Sequence, residues 1–251
     1  MNEAVGIYLK AFNLTTMAAI VDEQIRLAEA EQWSYAQFLA QLCEAEFEAR
    51  RQRRIARLLK ASGLPPTQTL DGADPTLWAA SVRRILPSLL EGSFVENREH
   101  VLAFGLPGRG KTRFLQALCR ELVLRYQYKV LSVRALELVE RLLVAKGQLR
   151  LEKELQRLSR YDVVYIDELG YVENRREEME VFFQFVSARC EQGSIMLSSN
   201  QVFSEWGRIF KDEMMTMAAV ERLTRLGIVL SFTNRSINEQ MSERRKKAGI
   251  E

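Results

Sequence analysis

Residues Gly105 to Thr112 read GLPGRGKT, a gapless match to the phosphate-binding loop G-x-x-x-x-G-K-[ST]. Gly105, Gly108 and Gly110 permit backbone torsions that a Cβ would obstruct, so several N–H groups can turn inward toward a phosphate chain. The predicted nucleotide-binding run is Gly105, Leu106, Pro107, Gly108, Arg109, Gly110, Lys111, Thr112 and Arg113. Lys111 is placed to reach the β- and γ-phosphates, and Thr112 offers a hydroxyl to Mg²⁺. The flanks agree with this reading. His100 to Phe104 reads as a short buried strand. Thr112 to Arg125 reads as a helix with Phe114, Leu115, Leu118 and Leu122 on one face. The start of that helix then faces the phosphates.

A chain of 251 residues holds one large domain, or a medium domain with a smaller companion. Its apolar fraction of 47% allows a sizeable core. The net charge of +3 says nothing by itself about nucleic acid, but the distribution does. Basic residues cluster at Arg50, Arg51, Arg53, Arg54 and Arg57, and again at Arg244, Arg245, Lys246 and Lys247. Cys43, Cys119 and Cys190 lie far apart with no CxxC, which argues against a disulfide framework or zinc site and fits a reducing cytoplasm. With no basic-then-apolar leader and no apolar run near membrane-spanning length, the expectation is a soluble cytoplasmic protein with no membrane partner.

Residues 1–62 contain no proline and no strand-like alternation, so a small all-α N-terminal domain is expected there, for oligomerisation or for binding DNA or a partner. Leu9, Phe12, Met17, Ile20, Val21, Ile25 and Leu27 predict one or two amphipathic helices. Ser34 is placed to cap a helix running through Leu59, which Gly63, Pro65 and Pro66 stop. Residues 63–76 are turn-rich and read as a linker. An ATPase domain is expected over 77–240, opening with a helix from Leu77 to Leu90, and a basic tail over 241–251. Further strands are predicted at 129–133, 162–166, 194–198 and 228–232. Helices are predicted at 136–145, 149–158 and 177–190, with short ones around Trp206 and Val220. Alternating apolar strands and helices predict an α/β fold, a five-stranded parallel sheet covered on both faces.

The second motif is Val163-Val164-Tyr165-Ile166-Asp167-Glu168. A buried strand ending in acid, with its tip beside the phosphate loop, can hold Mg²⁺, Asp167 acting through water or jointly with Thr112. Glu168 is suited to take a proton from attacking water. A complete strand–helix unit, residues 128–158, lies between the two motifs. It implies an extra strand inserted between the phosphate-loop strand and the acidic strand. The fourth strand ends in Ser198-Ser199-Asn200, where Asn200 can orient the water near the γ-phosphate.

The series GLPGRGKT, VVYIDELGYV, SSNQVFSEWGRIF and AAVERL resembles the IstB-type ATPases, transposition helpers encoded beside a transposase in one family of insertion sequences. It is also similar to the DnaC helicase loaders within the AAA+ superfamily. The resemblance covers nearly the whole chain, and LKAFNLTTMAAIVDEQ, WSYAQFLAQLCEAEFEAR and RLLKASGLPP favour the IstB group. It implies a P-loop AAA+ ATPase with ATP and Mg²⁺ as cofactors. Lys111 and Thr112 would bind phosphate and metal, Asp167 and Glu168 would serve metal and water, and Asn200 would be the first sensor. Arg222 would be a finger completing the site of a neighbouring subunit in a homo-oligomer. The family's closing Gly-x-Ser-Tyr-Arg reads Asn234-Arg235-Ser236-Ile237-Asn238 here, so that arginine is absent from its usual place. Arg113 stands where the family often has His.

Arg50, Arg53, Arg54 and Arg57 recur at helical spacing and predict a basic stripe able to follow duplex phosphates. Glu44, Glu46 and Glu48 in the preceding turns leave a salt-bridged solvated helix as the alternative. Phe182, Phe183 and Phe185 are expected in the core, and His100 is read as structural. The reading is an ATP-dependent, double-stranded-DNA-binding AAA+ regulator that recruits or activates a transposase. The alternatives are a DnaC-like helicase loader and a nucleotide-controlled DNA scaffold with slow hydrolysis.

Overall fold

The structure is a computed structural model. It describes residues 3–72, 74–170, 176–207, 212–237 and 239–242, and the chain divides into two compact units after Arg57.

The first unit holds α1 (Glu3–Ala11), α2 (Thr15–Ala30) and most of α3 (Tyr35–Ser62). Ser34 starts α3 through a capping box. Its Oγ accepts from Gln37 N at 3.2 Å, and its own N–H donates to Gln37 Oε1 at 2.9 Å. Met17, Val21 and Leu42 form a small core. Beside it Glu46 is buried and accepts from Thr16 N at 2.7 Å and Met17 N at 3.1 Å. These are donors of the first turn of α2, which has no capping side chain at Leu14. Arg50 Nε at 2.8 Å and Arg53 Nη2 at 3.2 Å complete the cluster. Burial pushes the Glu46 carboxyl up, but Arg50 and the two backbone N–H groups outweigh it and hold the pKa at about 2.

The second unit contains β1 (His100–Phe104), β2 (Val130–Arg134), β3 (Val163–Leu169), β4 (Ser194–Ser199) and β5 (Gly227–Ser231), in the order β2-β3-β4-β1-β5. Every pairing is parallel. The strand between the phosphate-loop strand and the acidic strand is therefore β4. The strand of the 128–158 unit lies outside β3, because chain order does not dictate sheet order. The helices are α4 (Ala80–Leu90), α5 (Ser93–Glu96), α6 (Lys111–Tyr126), α7 (Ala135–Gly147), α8 (Leu151–Leu158), α9 (Arg176–Arg189) and α10 (Glu213–Arg225).

Successive strand residues serve opposite faces. Val101 and Ala103 pack with Phe114, Leu115, Leu118 and Leu122 of α6, while Leu102 and Phe104 pack with Leu138, Leu142, Phe182, Phe185 and Leu223 on the other side. The described residues of 63–76 fall within the second unit. Leu64 and Leu70 pack against the α6-side core, and Gly63, at φ +74°, lies so close that a Cβ would stand 2.9 Å from Ser132 O. Two leucines set among turn residues leave no periodicity to read. The helix around Val220 is also longer than expected, 13 residues capped by Asp212, whose carboxylate accepts from Met215 N. No described helix is long and apolar enough to cross a membrane.

Candidate active site

The phosphate loop joins the C-terminal end of β1 to the N-terminus of α6. Gly105, Gly108 and Gly110 have φ of +151°, +76° and +90°. A Cβ on Gly105 would meet Phe232 O at 2.5 Å, so backbone proximity and torsion both demand glycine there. The residues after β5 clasp the loop from outside. Ile237 N donates to Gly108 O at 2.9 Å, Asn234 Nδ2 to Arg109 O at 3.2 Å, and Arg109 Nη1 to Phe232 O at 2.9 Å.

Lys111 is buried, and its Nζ donates to Gly105 O at 2.6 Å, Leu106 O at 3.1 Å and Asn200 Oδ1 at 2.6 Å. All three donors of the ammonium are used. Burial brings its pKa down to about 8, against the pull of Asp167 and Glu168 and with the push of Arg109. A cavity of about 320 Å³ opens here, lined by Gly108, Gly110, Lys111, Thr112, Glu168 and Asn200 among others. Leu106 is exposed, and Pro107, Arg113, Ser198, Ile237 and Met241 complete the lining. Arg113 Nη2 also donates to the Gly72 carbonyl, tying the 69–72 turn to the start of α6.

Asp167 Oδ1 accepts from Thr112 Oγ1 at 3.0 Å, from Tyr165 OH at 2.6 Å and from Ser198 Oγ. Tyr165 stands two residues before Asp167, on the same face of β3. Burial and then the Asp167 charge push its phenol well above the ordinary range, so it stays a donor. Ser198 Oγ also accepts from Glu168 N at 2.9 Å. That bond lies in a bulge of β3 between Ile166 and Leu169, where Glu168 takes φ +61° and is exposed. Glu168 lines both the Lys111 cavity and a neighbouring one that holds Thr112, Ser132, Arg134, Glu137 and Asp167. Tyr165 and Ser198 escape a motif reading. Their signal is a polar group at a core position of an otherwise apolar strand.

Thr112 and Asp167 offer hard oxygen donors within hydrogen-bond distance of one another, which suits Mg²⁺. No group of three or more His, Cys, Asp or Glu among the described residues could hold a metal. The donor set therefore suits an ion that keeps waters and takes substrate phosphate oxygens, rather than one in a protein cage.

The structure thus brings Lys111, Thr112, Asp167, Glu168 and Asn200 together. It does not bring Arg222 to them. Arg222 lies on α10, donates to Ala218 O at 3.0 Å and stacks over Phe183 at 5.1 Å. It lines a separate concavity with Ser187, Cys190, Glu191, Glu221 and Arg225. In the first unit, Arg50 and Arg53 are engaged by Glu46, while Arg54 and Arg57 make no salt bridge with a described residue. Arg244, Arg245, Lys246, Lys247 and Asn238 lie outside the described residues. His100 Nδ1 accepts from Ile195 N at 3.2 Å, a structural use; burial, then Arg189 and Arg225, lower its pKa to about 4.

A family model described as IstB-like ATP binding protein matches residues 7–246. A Sinorhizobium fredii (strain NBRC 101917 / NGR234) protein described as an insertion sequence ATP-binding protein is 34% identical over 251 residues, 98% of this chain and 84% of that one. The IS21 insertion sequence ATP-binding protein of Pseudomonas aeruginosa is 32% identical, over 97% of this chain and 91% of its own. Among solved structures, the DnaC helicase loader aligns with TM-score 0.53 at 19% identity, covering 70% of this chain and 99% of that one. AMPPCP-bound DnaA from Aquifex aeolicus aligns with TM-score 0.56 at 16% identity, covering 76% and 58%. These structures share the α/β AAA+ fold.

Proposed function

The chain belongs to the IstB-like ATP-binding family, and we propose that this AAA+ ATPase of insertion-sequence transposition assembles on duplex DNA in its ATP state and recruits or activates a transposase. The observation that carries the reading is the convergence of three strand tips: Lys111 after β1, Asp167 and Glu168 on β3, and Asn200 after β4, linked by the Lys111–Asn200 and Thr112–Asp167 bonds.

Lys111 exchanges one of its three internal acceptors for phosphate oxygen when nucleotide enters. Asn200, released from Lys111, is then free to orient water. Glu168, exposed on its bulge, takes the proton. Thr112 and Asp167 would hold Mg²⁺, which would supply charge neutralisation at the phosphates. Ser198 and Tyr165 keep the Asp167 carboxylate aimed. Arg222 acts on a neighbouring copy's nucleotide in a homo-oligomer, which its separation from this chain's own phosphate loop supports. Within the arginine stripe of the first unit, Arg54 and Arg57 rather than Arg50 and Arg53 are the members available to phosphates, with Arg244, Arg245, Lys246 and Lys247 as a second basic segment. The protein works in the reducing cytoplasm, consistent with three free cysteines.

The test is retardation of a labelled duplex by the full chain with ATP and Mg²⁺, with ADP, and with no nucleotide. It is followed by capture of an insertion-sequence transposase. Binding and capture in the ATP state alone are expected. Nucleotide-independent binding, or a helicase captured in place of the transposase, would overturn the proposal.

A further inference from the structure

The glycines that let the phosphate loop curl also leave its peptide planes free to turn over. A plane turned over would aim a carbonyl, not an N–H, at an entering phosphate. Two planes of this loop are held by the segment after β5. Ile237 N donates to Gly108 O at 2.9 Å, and Asn234 Nδ2 to Arg109 O at 3.2 Å. A trans peptide is planar, with its C=O and N–H pointing in opposite directions. Fixing the Gly108 oxygen therefore turns the Arg109 N–H away from the clasp, and fixing the Arg109 oxygen does the same for the Gly110 N–H. Both N–H groups belong to the phosphate-binding run.

The clasp is itself anchored. Phe232 is fully buried, its N–H donates to Phe104 O at 2.7 Å, and its ring meets Phe114 edge-on with centroids 5.6 Å apart. Arg109 returns a bond from the loop, Nη1 to Phe232 O at 2.9 Å. Side chains close the remaining space. A Cβ on Gly108 would stand 3.0 Å from Ser236 Oγ, and one on Gly110 would stand 2.5 Å from Ile237 Cδ1. The loop cannot relax outward against such neighbours. A cradle held in its binding geometry before a ligand arrives loses less freedom on binding.

We infer that Asn234 and Ile237 are positioning residues for nucleotide, holding the Arg109 and Gly110 N–H groups of the phosphate loop toward the phosphates. They act through the main chain of the loop and take no part in the hydrolytic step. ATP and ADP present the same α- and β-phosphates to that main chain, so the clasp sets affinity for both and leaves the rate alone. The inference rests on the nucleotide site and is independent of the DNA and transposase reading.

The test uses the full chain and three readouts: calorimetric titration with ADP and with AMPPCP, hydrogen exchange of the loop without nucleotide, and steady-state ATP hydrolysis. Asn234→Ala removes one donor. Ile237→Pro removes the other at the opening of a helical stretch, where proline is tolerated. Ile237→Ala keeps the N–H and is the reference for Ile237→Pro. Asn234→Ala against the unmodified chain, and Ile237→Pro against Ile237→Ala, are each expected to weaken both nucleotides roughly 2- to 12-fold, the worth of one hydrogen bond. KM should rise, kcat should hold, and exchange over Gly105 to Thr112 should quicken. Unchanged affinity in both comparisons, even with a lowered melting temperature, overturns the inference and leaves the clasp to fold stability alone. A fall in kcat at unchanged affinity overturns it in favour of a role in the hydrolytic step. Equal weakening in Ile237→Pro and Ile237→Ala overturns the main-chain contact at Gly108. No nucleotide binding by the unmodified chain overturns the nucleotide site itself.

Discussion

Replacing Glu168 with glycine should stabilise the protein while abolishing its hydrolysis. Glu168 sits at φ +61° in the β3 bulge, exposed, with its backbone N–H fixed by Ser198. An L-residue in the left-handed region costs about 1–2 kcal/mol. Glycine removes most of that but frees the unfolded chain, which offsets ~0.4–1 kcal/mol of the gain. The net expectation is a stabilisation of ~0.5–1 kcal/mol. At ~2–4 °C per kcal/mol for a domain of this size, the unfolding temperature should rise by about 1–4 °C. Glu168→Gln is the control, since it also deletes the charge beside Asp167 but keeps the Cβ and its strain. Scanning calorimetry of both variants without nucleotide, paired with phosphate-release assays, measures the two effects. If the glycine variant melts at or below the glutamine variant, the bulge stores no strain and the reasoning fails.

Three further outcomes follow from the same geometry. Lys111 is held at about pKa 8 by burial, so between pH 8 and 10.5 the unfolded state binds more protons than the folded one and stability should rise with pH. Lys111→Met should accordingly be more stable than wild type at neutral pH, with the gap narrowing above pH 8; a pH-independent gap in urea unfolding would contradict this. Glu46→Ala leaves two backbone N–H groups of α2 without their buried acceptor and frees the half-exposed Arg50 and Arg53, and should cost the first unit ~1–3 kcal/mol, read by circular dichroism in urea. Because the folded pKa of Glu46 is depressed to about 2 from 4.5, its contribution should be full above pH 4.5 and fade as pH falls toward 2; an Ala variant as stable as wild type at pH 7 would refute the role. For Arg222, two inactive proteins, Lys111→Ala and Arg222→Ala, should regain hydrolysis on mixing, since fingers are worth ~10³-fold or more; no recovery in crosslinked mixed assemblies would make Arg222 structural.

The geometry of the candidate site around Lys111 was largely legible because its residues are adjacent in sequence and chemically demanding. Glycines at positive φ, a lysine and a hydroxyl cannot be rearranged without losing the motif. The acidic strand was legible for the same reason. Less accessible were features set by tertiary meetings. Spacing put Arg50 and Arg53 on one helix face, but only the fold shows that the start of α2 drives Glu46 into burial and draws both arginines onto it. Strand order carries no local signal, so the position of β4 between β1 and β3 had to be observed. The bulge at Glu168 turns on a single residue, and no composition rule marks it. Leu64 and Leu70 bury without periodicity, which is why 63–76 reads as a linker.

The central claim is a division of labour, with Lys111 holding phosphate and Glu168 activating water. It is tested most directly by measuring ATP binding and single-turnover hydrolysis in parallel for Lys111→Ala and Glu168→Gln. The account predicts that Lys111→Ala loses nucleotide binding, whereas Glu168→Gln binds ATP as wild type does and retains it uncleaved. Hydrolysis by Glu168→Gln at the wild-type rate would contradict it.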